Sequence, residues 1–241
     1  MNQSVHLSVI VCTYNGERYL AEQLDTLLQQ SYPIDEILIQ DDASTDHTLD
    51  IARSYATRHS HIRIEENTDK HGVNGNFFSA MRKARGKYIA ICDQDDLWLP
   101  DKLALQMAAI GQQLLCVCRS QPFAIDGSDV DYDARTPNYH LIRLLYASIP
   151  GHTMLLNRRL LDLLPDTSKS YGTYYDVFLA STAAAYGSLV LVDRVLVKQR
   201  RHPSADTFHQ HDPHRSPSAG NGLYIIGWAL CHYKEVQPYI R

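Results

Sequence analysis

A surplus of positive charge is absent from this chain of 241 residues: 23 lysines and arginines stand against 27 aspartates and glutamates, a formal net charge of -4. Without a basic footprint, nucleic acid is excluded as the expected partner. Long apolar runs are missing too. No window reaches the roughly 20 apolar residues of a membrane-spanning helix, so any membrane contact is expected to be peripheral, at the inner face of the cell membrane. The opening Met-Asn-Gln-Ser leads directly into a strand, with no basic stretch ahead of an apolar segment, and reads as lacking a signal peptide. Cysteine is sparse and odd in number. Cys12, Cys92, Cys116, Cys118 and Cys231 have no zinc-ligand spacing and read as reduced thiols in a cytoplasmic compartment. No internal repeat is visible.

What is present is an ordinary globular composition, 44% hydrophobic and 21% charged, in a chain long enough for a substantial core. The first hundred residues alternate between β-rich apolar runs and helical spacing. Strands are expected over 5–12, 36–40, 62–66 and 88–92, and helices over 19–30, 46–58 and 76–84. Pro100 is expected to open a further helix at its first position. Such alternation predicts a parallel sheet with helices on both faces, and in such sheets ligands gather beyond the carboxyl ends of the strands. The second half is less regular. It reads as an acidic loop over 126–137, a helix over 138–148, a short strand over 152–157, a helix over 174–186, and strands over 189–192 and 195–199. A segment over 208–222 rich in His, Pro, Ser and Gly is expected to be mobile, ahead of an amphipathic helix over 223–239.

The most informative stretch runs from Tyr88 to Trp98, where a buried apolar run ends in Asp93-Gln94-Asp95-Asp96. Carboxylates at the end of a buried strand are costly unless something cationic meets them. Asp93 and Asp95 are two apart, so an extended chain points them to one side, an arrangement suited to a hard divalent cation. By itself the pattern serves equally well as a solvated strand end. Two further strand ends carry polar clusters: Thr13-Tyr14-Asn15-Gly16 and Asp41-Asp42-Ala43-Ser44-Thr45-Asp46. Turn chemistry accounts for Asn15-Gly16. Helix capping accounts for Ser44 or Asp46, but it leaves the Asp41-Asp42 pair unexplained. Three clusters on successive strand ends of one sheet favour a ligand site.

These segments carry a resemblance. Ser8-Val9-Ile10-Val11-Cys12-Thr13-Tyr14-Asn15-Gly16, Ile39-Gln40-Asp41-Asp42-Ala43-Ser44-Thr45-Asp46, and Gly86-Lys87-Tyr88-Ile89-Ala90-Ile91-Cys92-Asp93-Gln94-Asp95-Asp96 resemble, in order, three motifs of family 2 glycosyltransferases. The Asp-Gln-Asp-Asp-Leu-Trp-x-Pro form is most similar to the rhamnosyltransferase-like branch. The likeness continues through Gly151-His152-Thr153-Met154, Tyr175-Asp176 and Gln199-Arg200-Arg201-His202. It implies a GT-A (Rossmann-like) α/β fold with a mostly parallel central sheet flanked by helices and a smaller acceptor-side sheet region. That domain would span 1–206, with a nucleotide-sugar half over 1–100 and an acceptor half over 101–206, and 207–241 would form the mobile loop and terminal helix.

The activity the resemblance implies is inverting transfer of a sugar, rhamnose among the candidates, from a dTDP- or UDP-linked donor to a glycan or lipid-linked acceptor, with Mg2+ or Mn2+. By position, Thr13, Asp41 and Asp42 would hold base and ribose, and Asp93 would sit near the ribose. Asp95 would be the main metal ligand, with Asp93 and His202 in support, and Arg200 would meet the diphosphate. Asp176 would be the base, and Asp96 a helix-start acid. Tyr175 departs from the histidine often found before that base. The departure keeps open a catalytically inactive nucleotide-sugar-binding protein on the same fold. A phosphatase-like reading of Asp93 and Asp95 fails on position, because Leu97 follows Asp96 and the strand is the fourth. His209, His211 and His214 match no usual ligand spacing and read as solvated.

Overall fold

The structure, a computed structural model, describes residues 6–125, 149–164 and 174–202. The loop and helix expected over 126–148, the segment beyond 206 and its three histidines lie outside these residues. Four apolar runs form the strands β1 (Leu7–Thr13), β2 (Glu36–Asp41), β3 (Ile62–Glu66) and β4 (Tyr88–Asp93). They lie parallel in the order β3-β2-β1-β4, joined by helices α1 (Leu20–Leu28), α2 (Thr48–Arg58) and α3 (Val73–Lys83).

Side chains alternate across these strands, and both faces are buried, as a helix-covered parallel sheet requires. Leu7, Val9 and Val11 pack with Leu20, Leu24 and Leu27 of α1 and with Tyr55 of α2. Ile10 and Cys12 face the other way, onto Phe77, Phe78 and Met81 of α3.

Beyond β4 the sheet turns mixed. β5 (Leu97–Trp98), β6 (Leu115–Ala124), β7 (Met154–Asn157) and β8 (Leu189–Arg201) extend it to eight strands in the order β3-β2-β1-β4-β7-β6-β8-β5. Helix α4 (Lys102–Ile110) follows β5, the short α5 (Arg159–Asp162) follows β7, and α6 (Tyr175–Ala185) leads into β8.

Three expectations change in detail. The strands expected over 189–192 and 195–199 are one strand, irregular where its register against β6 shifts on either side of Arg119. Residues 152 and 153 belong to a 3-10 turn ahead of β7, not to the strand. Pro100 does not open α4, which starts two residues later. After the acidic loop the chain stays extended to pair Leu97 and Trp98 with Lys198 and Val197, so proline falls in the connection, where its carbonyl accepts the Ser31 N–H at 2.9 Å.

Candidate active site

The carboxyl ends of β1, β2 and β4 bring all three polar clusters to one edge. Thr13 stands beside Asp41, and Cys12 beside Asp93, in the strand register. Asp41 is fully buried and held by neutral donors: Thr13 Oγ1 donates at 2.7 Å, Ser44 Oγ at 2.6 Å and the Ser44 N–H at 2.8 Å. Asp42 accepts from Asn67 Nδ2 (2.7 Å) and from the Gly72 N–H (2.7 Å), and lies 2.8 Å from His71 Nδ1. Ser44 therefore braces Asp41, while Asp46 caps α2 by accepting the Thr48 N–H at 3.0 Å. The turns between these strands and helices are tight enough to hold Asn15 and Ala43 at positive φ, 47° and 63°.

Gln94 joins this edge to the next. Its amide pairs with the Tyr14 backbone in both directions, accepting from N at 2.9 Å and donating to O at 3.0 Å. Gly16 makes room for that pairing, because a Cβ there would stand 2.2 Å from Gln94 Oε1.

The acidic loop turns its carboxylates toward histidines and a backbone N–H from distant segments. His202 Nε2 lies 2.7 Å from Asp95 Oδ2. His152, in the 3-10 turn ahead of β7, is buried with Nδ1 3.3 Å from Asp93 Oδ2 and 3.3 Å from Asp96 Oδ2. Asp96 is not a helix-start acid. It is buried, and its Oδ1 accepts the Arg200 N–H at 3.1 Å, because β5 keeps the chain extended instead of turning into α4. Burial pushes the Asp96 carboxyl well above its usual range, against the pull of His152. Burial works to lower His152, but Asp96 and then Asp93 outweigh it and leave it raised.

Asp93, Asp96 and His152 offer three ligand atoms within 4.8 Å of one another. Asp96 Oδ2 and His152 Nε2 are buried with no hydrogen-bond partner among the described residues. Oxygen-rich donors with surplus negative charge and open lone pairs fit a hard divalent cation. His152 and Asp96 enter the site as residues the sequence reading did not assign. The signal was present in the Gly151-His152-Thr153 segment, but only the antiparallel pairing of β7 with β4 brings it alongside Asp93.

Asp176 sits in the first turn of α6. Burial pushes its carboxyl up to about 7. The Val177 N–H pulls it down, the charge of Asp93 raises it, and His152 lowers it. The preceding Tyr175 is buried and stacks on Phe77 with ring centroids 4.2 Å apart. Its N–H is received by Asn74 Oδ1 at 2.7 Å, and its hydroxyl fills the space that a Cβ on Gly151 would need, 1.9 Å away. Tyr175 is thus a packing residue that seats the helix. Arg200, expected at the diphosphate, is almost fully buried, with its guanidinium engaged by Glu22 Oε2 at 2.6 Å and the Asp95 carbonyl at 3.0 Å.

Known proteins share this architecture and these segments. The sequence profile described as Glycosyl transferase family 2 matches residues 8–171. The putative glycosyltransferase EpsE of Bacillus subtilis (strain 168) is 41% identical over 109 residues, 45% of this chain and 39% of that protein. The chain thus spans about two fifths of that curated relative. Among solved structures, S. aureus TarS 1-349 in complex with UDP-GlcNAc superposes with a TM-score of 0.69 at 20% identity, over 94% of this chain and 66% of that one. Mannosyltransferase PcManGT from Pyrobaculum calidifontis, in complex with GDP-Man and Mn2+, gives 0.61 at 20% identity, over 99% and 74%. The fold is that of the GT-A glycosyltransferases. With a family profile covering most of the described strands and the three motifs meeting on one sheet edge, the chain belongs to glycosyl transferase family 2.

Proposed function

We propose that this chain is a metal-dependent inverting glycosyltransferase that moves a sugar from a nucleoside diphosphate to a glycan or lipid-linked acceptor in surface polysaccharide synthesis. The observation that carries the reading is Asp176: a carboxyl held near neutral pH by burial, at the start of a helix and within the electrostatic reach of Asp93 and His152. A general base works best with a pKa near the operating pH. In a single displacement, the acceptor oxygen bonds to the anomeric carbon as the bond to the diphosphate breaks, and the acceptor's hydroxyl proton passes to Asp176. This is the logic of an inverting glycosidase with a sugar hydroxyl in place of water.

Thr13, Asp41 and Asp42 line the base and ribose end, with Asp93 near the ribose. Asp95, Asp93 and His202 would hold Mg2+ or Mn2+, and Asp96 and His152, whose ligand atoms cluster with that of Asp93, would be further ligands. The bound cation would supply Lewis-acid stabilisation of the departing diphosphate. The likeness of the Asp-Gln-Asp-Asp segment to rhamnosyltransferases supports dTDP-rhamnose as one donor, and the UDP-GlcNAc bound to TarS supports UDP-sugars as another. No helix among the described residues is long and apolar enough to cross a membrane.

Two measurements test this. A thermal-shift panel of UDP-, dTDP- and GDP-sugars with and without Mn2+ should give a metal-dependent rise in melting temperature for one donor; no shift with any of them would remove the donor reading. Asp176→Asn should lower turnover by about 10²- to 10⁴-fold while leaving that shift in place. Turnover unchanged in the variant would overturn the role of Asp176. A wild-type chain that binds donor yet transfers nothing to any acceptor would favour the inactive binding protein instead.

A further inference from the structure

We infer that Arg200 is a positioning residue for the acidic loop and not a cation for the diphosphate. Its guanidinium lies between two rings, 4.9 Å from the centroid of Tyr19 and 4.8 Å from that of Phe123. Two of its nitrogens are engaged, Nη2 by Glu22 Oε2 and Nε by the Asp95 carbonyl. Its own backbone N–H reaches Asp96 Oδ1. One residue therefore ties α1, the end of β6, the end of β8 and two members of the Asp93–Asp96 loop together.

The loop needs such a strut. It carries three carboxylates within four residues, which repel one another, and β5 secures only the two residues that follow it. Arg200 meets the loop through its carbonyl and amide contacts, leaving the Asp95 side chain facing His202, whose ring in turn packs 4.6 Å from Tyr19. An arginine suits this place because its planar group stacks on rings and donates in two directions at once. A lysine ammonium also donates, but it has no planar fork to lie between two rings while donating along fixed directions. The guanidinium is fixed by Glu22, a side chain 57% exposed on α1, so a surface carboxylate is linked to the geometry of the metal loop. The inference rests on the proposed metal role of Asp95 only in the second arm of its test.

The experiment uses the full chain in three forms: wild type, Arg200→Lys and Glu22→Gln. In the first arm, amide hydrogen exchange is followed without metal. Exchange across residues 93–99 should quicken about tenfold in Arg200→Lys, the loss expected for a charge-assisted hydrogen bond. It should quicken less in Glu22→Gln, with the β3 peptide unchanged in both. In the second arm, Mn2+ alone is titrated and followed by the free-ion electron paramagnetic resonance signal. Affinity should fall in both variants in the same order. Unchanged loop exchange in both variants would overturn the strut, as would loss of metal-free pyrophosphate binding in Arg200→Lys alone with Mn2+ affinity intact. A wild-type chain that binds no Mn2+ would remove the metal reading of Asp95, while the exchange arm would still decide the role of Arg200.

Discussion

The two acidic edges of the site are held in opposite ways. At the ends of β1 and β2, Asp41 and Asp42 are met chiefly by neutral hydroxyl, amide and backbone donors. At the end of β4, Asp93, Asp95 and Asp96 are met by His152, His202 and the Arg200 backbone, drawn from segments 59 to 107 residues away. Neutral donors stabilise a carboxylate without needing a counter-ion. The second edge gathers three carboxylates around two histidines, and Asp96 Oδ2 and His152 Nε2 are buried there without hydrogen-bond partners among the described residues. The first holds its two acids by hydrogen bonds from neutral donors. The second is an electrostatic socket that, on the proposed function, a divalent cation would complete.

Substitutions that remove charge without changing shape sharpen the contrast. Asp95→Asn should give the largest effect, about 10³-fold in turnover, since metal stabilisation of a leaving group contributes several kcal/mol. It should also abolish the Mn2+-dependent thermal shift, with little change in melting temperature without metal. Asp41→Asn should do the reverse. It leaves Mn2+ binding intact but unfolds more easily by about 2–3 kcal/mol in urea denaturation, because buried donors lose their acceptor. Equal effects of the two on Mn2+ binding would erase the distinction between the edges.

Gly16→Ala tests the bridge between the edges. The added Cβ meets the Gln94 amide, which must swing away and give up its pair of hydrogen bonds with the Tyr14 backbone, so a loss of about 1 kcal/mol is expected by the same denaturation measurement. The Gln94→Ala background should relieve most of the clash.

The pH dependence comes last. With Asp176 as base at about 7, kcat/KM, which reports the free enzyme, should fall tenfold per unit below that pH and level off above it. A raised carboxyl pKa means that the folded state binds its proton more tightly than the unfolded chain does. The proton's contribution is present below the unfolded value and is lost as pH rises through about 7. Asp176→Asn should therefore raise stability at pH 8, by on the order of 1–4 kcal/mol. A destabilised variant at that pH would sink the raised pKa.

The first edge was legible because it is local. Thr13, Asp41 and Asp42 end neighbouring parallel strands, and apolar runs with polar ends announce such strands directly. Asp95, Asp93 and Asp176 were legible as residues from their motifs. What escaped were the partners. His152 looked like part of a short strand, and Asp96 like the start of a helix. Arg200 looked like a free cation at a strand end, because nothing in the spacing of residues 19, 22, 123 and 200 shows that they meet.

The sequence by itself thus determined the elements, the sheet edge and the acids. Strand periodicity and strand-end polarity are short-range properties, written in consecutive residues. Only the tertiary structure decided which acids are held by neutral donors and which face histidines. That depends on the antiparallel return of β7 and on the long run of β8 beside β5, pairings set by the packing of the whole sheet.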